Sequence, residues 1–562
     1  MKIIGRYGGD AVLLLPASVF AVVPLLNTVW GEDDMLVSYL YGIVTLPVAA
    51  YGALRRHRAL RITLADILFG VWLLYAVLLT DAESLPVNVI VYCFAAWLWG
   101  RQLNAPCICR ILVFAGIIQV LLLLLQWGDV LPSHHAYFPV TGSFRNPGPL
   151  GGFLSVCLMA AIALYRQGSG KLRILYIVLL SAGLILSDSR AAWIGALAGI
   201  TYYVMLRLGI RPLLRVVCVI AVGVMFSLLA AVCYKSASAR GRVAIWKVCI
   251  EMMKEYPVFG QGVDTFSANY MPQQARYIQE KATDAERHLM DNNRYAFNEF
   301  LCVTCEQGLT GLLLVMGILI VLWRASCDCV SLRICLLVYV VFSCFSYPLH
   351  VFFLQVCLFM VCGNLSARSA VVWSCPSVKP RILFVVPVIV LFGSSVLRGW
   401  HVMRARQAVY DFLNNDNMRA LDYLETHLCT FIHDRALLDS YALALCLKEE
   451  HERSIPVLRQ SIARFPATDK YIRLGNSFRS LALYSQAEKA YMQAAFMLPD
   501  RIYPRYCLFM LYRDMRQEEK AYRQALQIQR MFPKIESDYA RELKCFVNEY
   551  LQSVKPVASN GK

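Results

Sequence analysis

Long apolar blocks constrain the fold of this chain more than any other feature of its sequence. They recur from about residue 11 to residue 398, and many approach the roughly 20 residues that an α-helix needs to cross a bilayer. Hydrophobic residues make up 58% of the 562 positions and charged residues 17%, whereas soluble domains average about 25% charged. The sequence therefore predicts an all-α, polytopic membrane bundle.

We predict about 12–13 spans. Their approximate ranges are 11–30, 35–54, 62–80, 86–100, 108–127, 149–165, 173–187, 191–206, 213–233, 301–323, 333–347, 349–366 and 381–398. Every second connection is basic, and such loops remain in the cytoplasm. This pattern predicts a bacterial inner-membrane protein with a cytoplasmic N-terminus, so that the loop 235–298 and everything after residue 400 are periplasmic.

The C-terminal part of the chain changes to charged, amphipathic helix. Phe465-Pro466, Leu498-Pro499 and Phe532-Pro533 recur at intervals of 33 and 34 residues. A small residue precedes each proline by twelve positions: Ser454, Ala487 and Ala521. This period is typical of tetratricopeptide repeats. We expect a membrane domain at 1–400, a repeat domain at 401–552 that offers a surface for a protein partner, and a disordered tail at 553–562.

The net charge of +17 does not indicate nucleic-acid binding, because the basic residues lie mostly in loops where they set topology. The 20 cysteines lie mainly inside apolar blocks and behave as small hydrophobes. The Cys-x-Cys pairs lack the second half of a zinc site. We predict no metal, no cofactor and no nucleic-acid partner.

Two polar clusters lie at predicted outer ends of spans. The first is Thr141–Pro149, in which Gly and Pro allow a tight turn that holds Arg145 and Asn146 beside a span. An ordinary re-entry turn explains the same pattern. The second is Ser187–Arg190, where Arg190 either acts functionally or pairs with Asp188 as an interfacial anchor.

Two further clusters belong to the long outer loop. Arg240 and Arg242 are expected just before an amphipathic interfacial helix over 245–253, where guanidinium groups and helix amides suit phosphate. Arg294, Asn298 and Glu299 precede or open the tenth span, and Glu306 lies deeper in it. A carboxylate inside a span is costly and suggests function, although a structural role for Glu306 is equally consistent.

These arginines are all predicted to face one aqueous boundary, which suits a lipid-linked pyrophosphate. Because no nucleoside triphosphate is available outside the cell, an activated lipid is the plausible donor. The sequence contains no Walker loop and no Ser-His-Asp context.

The order of these motifs resembles the O-antigen ligase and polymerase superfamily of membrane glycosyltransferases, over about residues 10–398. The motifs that carry the resemblance are Gly142–Pro147, Ser187–Arg190, Gly241 with Trp246, Pro257–Gly262, Asn298–Leu301 and Glu306 with Gly308. The resemblance implies a GT-C-like helical bundle and metal-independent transfer of a glycan from undecaprenyl diphosphate to an acceptor hydroxyl. It assigns diphosphate handling to Arg190 and Arg242.

One position departs from the family pattern. Where the family has a histidine directly before the asparagine, as the presumed base, this chain has Phe297. Glu299, His288, Asp291 and His350 are the candidate replacements, and Glu299 is nearest to the slot. We therefore predict Glu299, Arg190 and Arg242 as catalytic, with Arg145, Asn146, Arg240, Arg294 and Asn298 as substrate-binding residues.

The acceptor stays open at this point. Lipid A core, a protein and a growing polymer (the reaction of a Wzy-type polymerase) all fit the motifs, although the repeats favour a protein contact. A non-catalytic scaffold for glycan assembly is a further hypothesis. Phe297 favours it, because phenylalanine cannot accept a proton. A lipid-glycan transporter would require intramembrane charges and inverted repeats, and neither is evident in the sequence.

Overall fold

A computed structural model of the chain describes residues 36, 39–43, 45–47, 60–80, 87–135, 137–165, 170–233, 236–375, 379–415, 417–533 and 537–554. Two strands, β1 (Leu60–Thr63) and β2 (Val371–Cys375), accompany the helices. The helices are α1 Leu64–Leu78, α2 Val87–Gln102, α3 Ala105–Trp127, α4 Pro147–Tyr165, α5 Lys171–Leu186, α6 Arg190–Arg207, α7 Pro212–Cys233, α8 Ser236–Glu255, α9 Phe266–Glu280, α10 Asp284–Leu289, α11 Glu299–Ala325, α12 Val330–Ser343, α13 Phe352–Ser366, α14 Lys379–Asn415, α15 Met418–Phe431, α16 Arg435–Leu447, α17 His451–Arg464, α18 Thr468–Ser480, α19 Tyr484–Met497, α20 Ile502–Asp514, α21 Glu518–Arg530 and α22 Asp538–Ser553.

Each predicted span from residue 62 onward overlaps a helix. Within the described residues, α3, α4 and α11 are long and apolar enough to cross a membrane, and α1, α7, α12 and α13 contain shorter apolar helices. The predicted span 11–30, most of 35–54 and most of the tail 553–562 lie outside the described residues. The predicted boundary at residues 400 and 401 falls inside α14.

Two short strands add to the predicted helical fold. They pair antiparallel, with Leu60 opposite Cys375 and Arg61 opposite Ser374. At the end of β1, the Thr63 side chain and the Asp66 carboxylate form a capping box that starts α1. Asp66 also pairs with Arg101. This arginine of a predicted basic loop therefore stabilises the fold in addition to any role in topology.

The chain forms two compact units that do not follow chain order. Unit 1 comprises Met1–Ser236, Pro257–Val263 and Ala296–Met403, and unit 2 comprises Ala237–Tyr256, Asp264–Tyr295 and Arg404–Lys562. The division leaves most of the predicted outer loop 235–298 in one unit with the predicted repeats, whereas the prediction grouped that loop with the membrane helices.

Helix α4 lies in the centre of unit 1, where it packs against α3, α5, α6 and α12. It contains the consecutive residues Gly151 and Gly152, both buried. A Cβ atom on Gly152 would lie 2.3 Å from the Phe342 ring of α12. Small residues allow helices to approach this closely. In a membrane such van der Waals packing holds helices together, because the lipid is as apolar as the side chains.

After α14, unit 2 continues in the short helices α15 to α22, and from α16 onward each packs against the next one or two in sequence. The predicted small residues Ser454, Ala487 and Ala521 are each 0% exposed. The Ser454 hydroxyl lies 2.8 Å from the Ser477 hydroxyl of the following helix. All three small residues are therefore buried, and Ser454 lies where α17 and α18 approach closely.

Lys470 is a buried charge inside these helices, with 2% of the residue exposed. Its ammonium group donates to the Ser461 hydroxyl at 2.7 Å and lies 2.6 Å from the Asp439 carboxylate. Burial lowers the pKa of Lys470 to about 8, although Asp439 opposes the shift.

We expect the wild-type protein to gain stability relative to Lys470→Met as the pH rises from about 8 to about 10. The pKa of Lys470 is lower in the folded than in the unfolded chain, so the unfolded chain binds more protons in this window. The free energy of unfolding then rises with pH, by at most about 1.4 kcal/mol per unit. Thermal unfolding of both full-length proteins in detergent measures the difference, and a difference independent of pH would contradict this account.

Candidate active site

In unit 1, backbone hydrogen bonds join the segment around Gly260 to the segment around Gly308, and we call this pairing the glycine lock. Gln261 N donates to Cys305 O (3.1 Å) and Gly262 N to Glu306 O (2.8 Å), while Leu309 N and Thr310 N donate back to Pro257 O (2.9 Å) and Val258 O (3.2 Å). These four bonds pair the segment Pro257–Gly262 with the interior of α11. The pairing is possible because α11 is interrupted there.

The interruption occurs at Gly308, whose φ of 65° and ψ of −167° are non-helical. This conformation is essentially restricted to glycine. A Cβ on Gly308 would lie 2.2 Å from Val258 O, and one on Gly260 would lie 2.4 Å from Gln307 N. Two motifs 48 positions apart in sequence therefore depend on each other.

The residues around the lock are anchored to α1. Trp72 Nε1 donates to the Gln307 side chain and Tyr75 OH donates to the Gln307 carbonyl, both at 2.8 Å. Glu306 is buried, with 6% exposed, and its backbone carbonyl belongs to the lock. The carbonyls freed by the break at Gly308 thus receive donors from the loop and from α1, as buried backbone groups require.

The start of α11 carries two of the predicted site residues. Asn298 caps the helix, since its side chain accepts from Leu301 N at 3.1 Å. Glu299 follows in the first turn and is 3% exposed. Before them, Phe297 adopts a φ of 52°, a value uncommon for a bulky residue and often associated with functional sites.

Glu299 lies against the short turn Pro348–His350. Its carboxylate accepts from Leu349 N at 2.5 Å and lies 3.5 Å from His350 Nδ1. The other imidazole nitrogen, Nε2, is 3.8 Å from Cys302 Sγ. The Phe297 ring packs edge-on against Tyr347, with 5.3 Å between centroids. The structure therefore brings an imidazole beside the position where the family has its histidine.

Glu299, Cys302 and His350 each present one ligand atom, and these atoms lie within 4.8 Å of one another. Carboxylate, thiolate and imidazole are the ligand types of zinc sites. The sequence predicts no metal site here, because His350 follows Cys302 by 48 positions and the two residues do not form a local motif. A bound cation and an acid–base pair are the two chemistries that this cluster can support.

Two buried glutamines hold the Thr141–Pro149 turn. The Gln126 side chain accepts from Thr141 N and Gly142 N, and the Gln119 side chain accepts from Ser143 N at 3.0 Å. Both glutamines belong to the largely apolar helix α3. Their spacing of seven positions, which places them on one helix face, was the signal that sequence reasoning missed.

This turn places Arg145 and Asn146, both half-buried, at the start of α4. The Asn146 side chain accepts from Gly148 N at 2.8 Å. Arg190 is the first residue of α6. Ser189, which caps that helix, donates to Gly148 O at 3.3 Å. The predicted first and second clusters therefore meet at one end of unit 1.

The turn Pro348–His350 lies at the same end of unit 1. The ring of Phe144, in the Thr141–Pro149 turn, lies 6.0 Å from that of Phe353, three residues after His350. Arg145, Asn146, Arg190, Asn298 and Glu299 thus all belong to unit 1. The other predicted site residues, Arg240, Arg242 and Arg294, belong to unit 2.

Arg240 and Arg242 lie within α8 rather than before it. We expected a helix over 245–253, but α8 already begins at Ser236. Arg240 is exposed and Arg242 half-buried. Ser236–Arg242 was too polar to be recognised as helix from its apolar pattern. Ion pairs of Lys247 with Glu286 and of Lys281 with Glu251 join α8 to the segments that follow it.

The outer loop packs on the C-terminal helices inside unit 2. Gln274 of α9 is fully buried and donates to Met497 O at 3.1 Å. Asp291 pairs with Arg501 at 3.2 Å, and His288 lies 3.0 Å from Asp500. His288 and Asp291, two of the four candidate bases, therefore hold the loop against the residues just before α20.

Comparison with known families gives one match. The O-antigen ligase family model matches residues 175–316, from α5 into α11. No curated protein matches the chain. The match supports the predicted O-antigen ligase superfamily and, together with the apolar helices, indicates an integral membrane protein.

We expect Gly308→Ala to prevent folding of the protein, because its Cβ would collide with Val258 O and open the lock. The four backbone bonds are worth roughly 1 kcal/mol each. Gly317→Ala is the matched control, since the added Cβ on the same helix α11 meets nothing within 4 Å. Size-exclusion chromatography of detergent extracts measures the folded fraction. Equal folded fractions for the two variants would show that the lock is dispensable.

Proposed function

We propose that this protein is a bacterial inner-membrane glycosyltransferase of the O-antigen ligase or protein O-oligosaccharyltransferase type. It transfers a glycan from an undecaprenyl-diphosphate donor to an acceptor hydroxyl on the periplasmic face. The observation that carries this proposal is the family match at 175–316. That range includes Arg190, Arg242 and Glu299 together with both halves of the glycine lock.

Arg190 is the residue best suited to the donor diphosphate in unit 1. It opens α6, where the amides of the first helical turn and a guanidinium group both attract phosphate oxygens. The bond between Ser189 and Gly148 keeps Arg145 and Asn146 at the same end of unit 1. These groups stabilise the charge that develops on the diphosphate as the bond to the sugar breaks. Arg242 has the same role on the outer loop.

His350 and Glu299 are the groups best suited to activating the acceptor. Glu299 is fixed by Leu349 N and faces His350 Nδ1, an arrangement that orients the imidazole and supports its positive charge. Nε2 then accepts the proton from the acceptor hydroxyl while that oxygen bonds to the anomeric carbon. The bond from this carbon to the phosphate oxygen breaks, and the undecaprenyl diphosphate leaves.

The eight C-terminal helices are proposed to be periplasmic tetratricopeptide repeats. Their 33- and 34-residue period and their buried small residues support this. Since the outer loop already occupies part of their surface within unit 2, the remaining surface is what an acceptor protein would contact. Lipid A core and protein are the acceptor classes that the transfer experiment compares.

Arg190→Ala is expected to reduce glycan transfer by about 10²–10³-fold, as for other lost charge-stabilising donors. Arg207→Ala removes the same charge from the opposite end of α6 and should retain activity. Complementation of a deletion strain, followed by gel analysis of glycan on lipid A and on protein, measures both. Normal glycan with Arg190→Ala would remove this residue from the mechanism.

His350→Ala is expected to reduce transfer by about 10²–10⁴-fold because it removes the base. Glu299→Gln should have a smaller effect, since the amide can still accept from Leu349 N. Cys302→Ser should retain activity, and so should wild-type protein treated with a chelator. If chelation abolishes transfer and zinc restores it, the cluster is a metal site and the base assignment fails.

A further inference from the structure

Four arginines of unit 2 have a buried guanidinium nitrogen without a hydrogen-bond partner among the described residues: Arg287, Arg294, Arg435 and Arg464. Two of these nitrogens are considered together: Arg294 Nε, in the segment before α11, and Arg435 Nη1, in the first residue of α16. Buried polar groups are almost always paired, so each exception requires an explanation. Two unpaired guanidinium nitrogens in one region indicate a missing acceptor.

Hydrogen bonds and ring contacts bring the two arginines to the same place. The side chain of Asn292 accepts from the Thr468 hydroxyl at 3.3 Å, which fixes the extended segment two residues before Arg294. Phe465 precedes Thr468 by three residues. The Arg435 guanidinium lies 5.5 Å from the centroid of the Phe465 ring. The outer loop and the repeats therefore each contribute one guanidinium group beside this turn.

Positive charge exceeds negative charge in this cluster. The Asp439 carboxylate is shared, lying 2.6 Å from Lys470 Nζ and 3.6 Å from Arg435 Nε. The neighbouring Asp434 caps α16 through Leu437 N at 3.0 Å. Arg435 and Lys470 thus share the Asp439 carboxylate, and Arg294 adds a third positive charge near Arg435. Burial lowers the pKa of Arg435, and the charge of Arg294 lowers it further.

We propose that Arg294 and Arg435 form a binding site for a phosphate group. Like charges held together away from water are unfavourable until an anion neutralises them, and guanidinium groups bind phosphate oxygens in bidentate geometry. The source of the phosphate rests on the proposed function: it is either the diphosphate of the lipid-linked donor or a free phosphate. The site gives the repeats a direct part in substrate handling.

Binding of inorganic pyrophosphate to full-length protein in detergent tests the site. We expect a saturable rise in thermal unfolding temperature for the wild type, and at least tenfold weaker binding for Arg435→Gln and Arg294→Gln. Arg523→Gln is the control, because that arginine is 73% exposed on α21 and pairs only within its own helix turn. Its binding should match the wild type.

The ligand-free proteins provide a second readout. Arg435→Gln should unfold at the same or a higher temperature than the wild type, since it relieves repulsion, whereas a purely structural arginine would lower it. If Arg435→Gln fails to fold, Arg435→Lys is measured instead. Lysine keeps the positive charge but lacks the planar guanidinium group, so this variant should bind pyrophosphate more weakly. Wild-type affinity in Arg435→Lys and Arg294→Gln would overturn the proposal, as would the absence of pyrophosphate binding to wild type.

Competition distinguishes the two sources of phosphate. If undecaprenyl diphosphate displaces pyrophosphate, the donor occupies the site, whereas displacement by inorganic phosphate alone assigns it to a free anion. The readout does not need transfer. Pyrophosphate binding without glycan transfer would support the phosphate site and contradict the proposed function. Glycan transfer without pyrophosphate binding would support the proposed function and contradict the phosphate site.

Discussion

The lock between Pro257–Gly262 and the interrupted helix α11 is the constraint on which the candidate site depends. Its four backbone bonds fix the path of the chain after α8 and supply partners for the peptide groups that the break at Gly308 exposes. Such breaks inside an apolar helix are tolerated only where other groups satisfy the backbone. The lock thereby sets the position of Asn298 and Glu299 at the start of the same helix.

Buried side chains arrange the polar groups at this end of unit 1. Gln119 and Gln126 hold the turn that carries Arg145, and Ser189 links that turn to Arg190. The Glu299 carboxylate lies 3.5 Å from His350 Nδ1 and orients that imidazole in the same way. A site built from several loops requires such supports, because a displacement of about 1 Å is enough to impair catalysis.

The helices were predictable because apolar length directly reports membrane helices. The glycine motifs were predictable as a set, but their mutual contact was not, because one lies in a loop and the other in a span. His350 was one of four candidates from sequence, and its distance from Phe297 along the chain concealed their proximity. Hydropathy also gave no indication that the predicted outer loop packs with the C-terminal helices, since polar contacts such as Gln274 with Met497 leave no periodic pattern.

Under the proposed function, His350 would take the place of the histidine that the resemblance leads us to expect at Phe297. The Phe297 ring packs on Tyr347, and the turn that follows Tyr347 ends in His350. An imidazole is thus available from a different element, oriented by a carboxylate from α11. The proposed function therefore does not require a histidine at position 297.

The most direct test of the account is transfer by purified protein. Wild-type protein in detergent, supplied with an undecaprenyl-diphosphate-linked glycan and with lipid A core or protein acceptors in separate reactions, is analysed by mass spectrometry. The account predicts one acceptor gaining the mass of the glycan, with release of undecaprenyl diphosphate. An intact donor and unmodified acceptors in every reaction would contradict it.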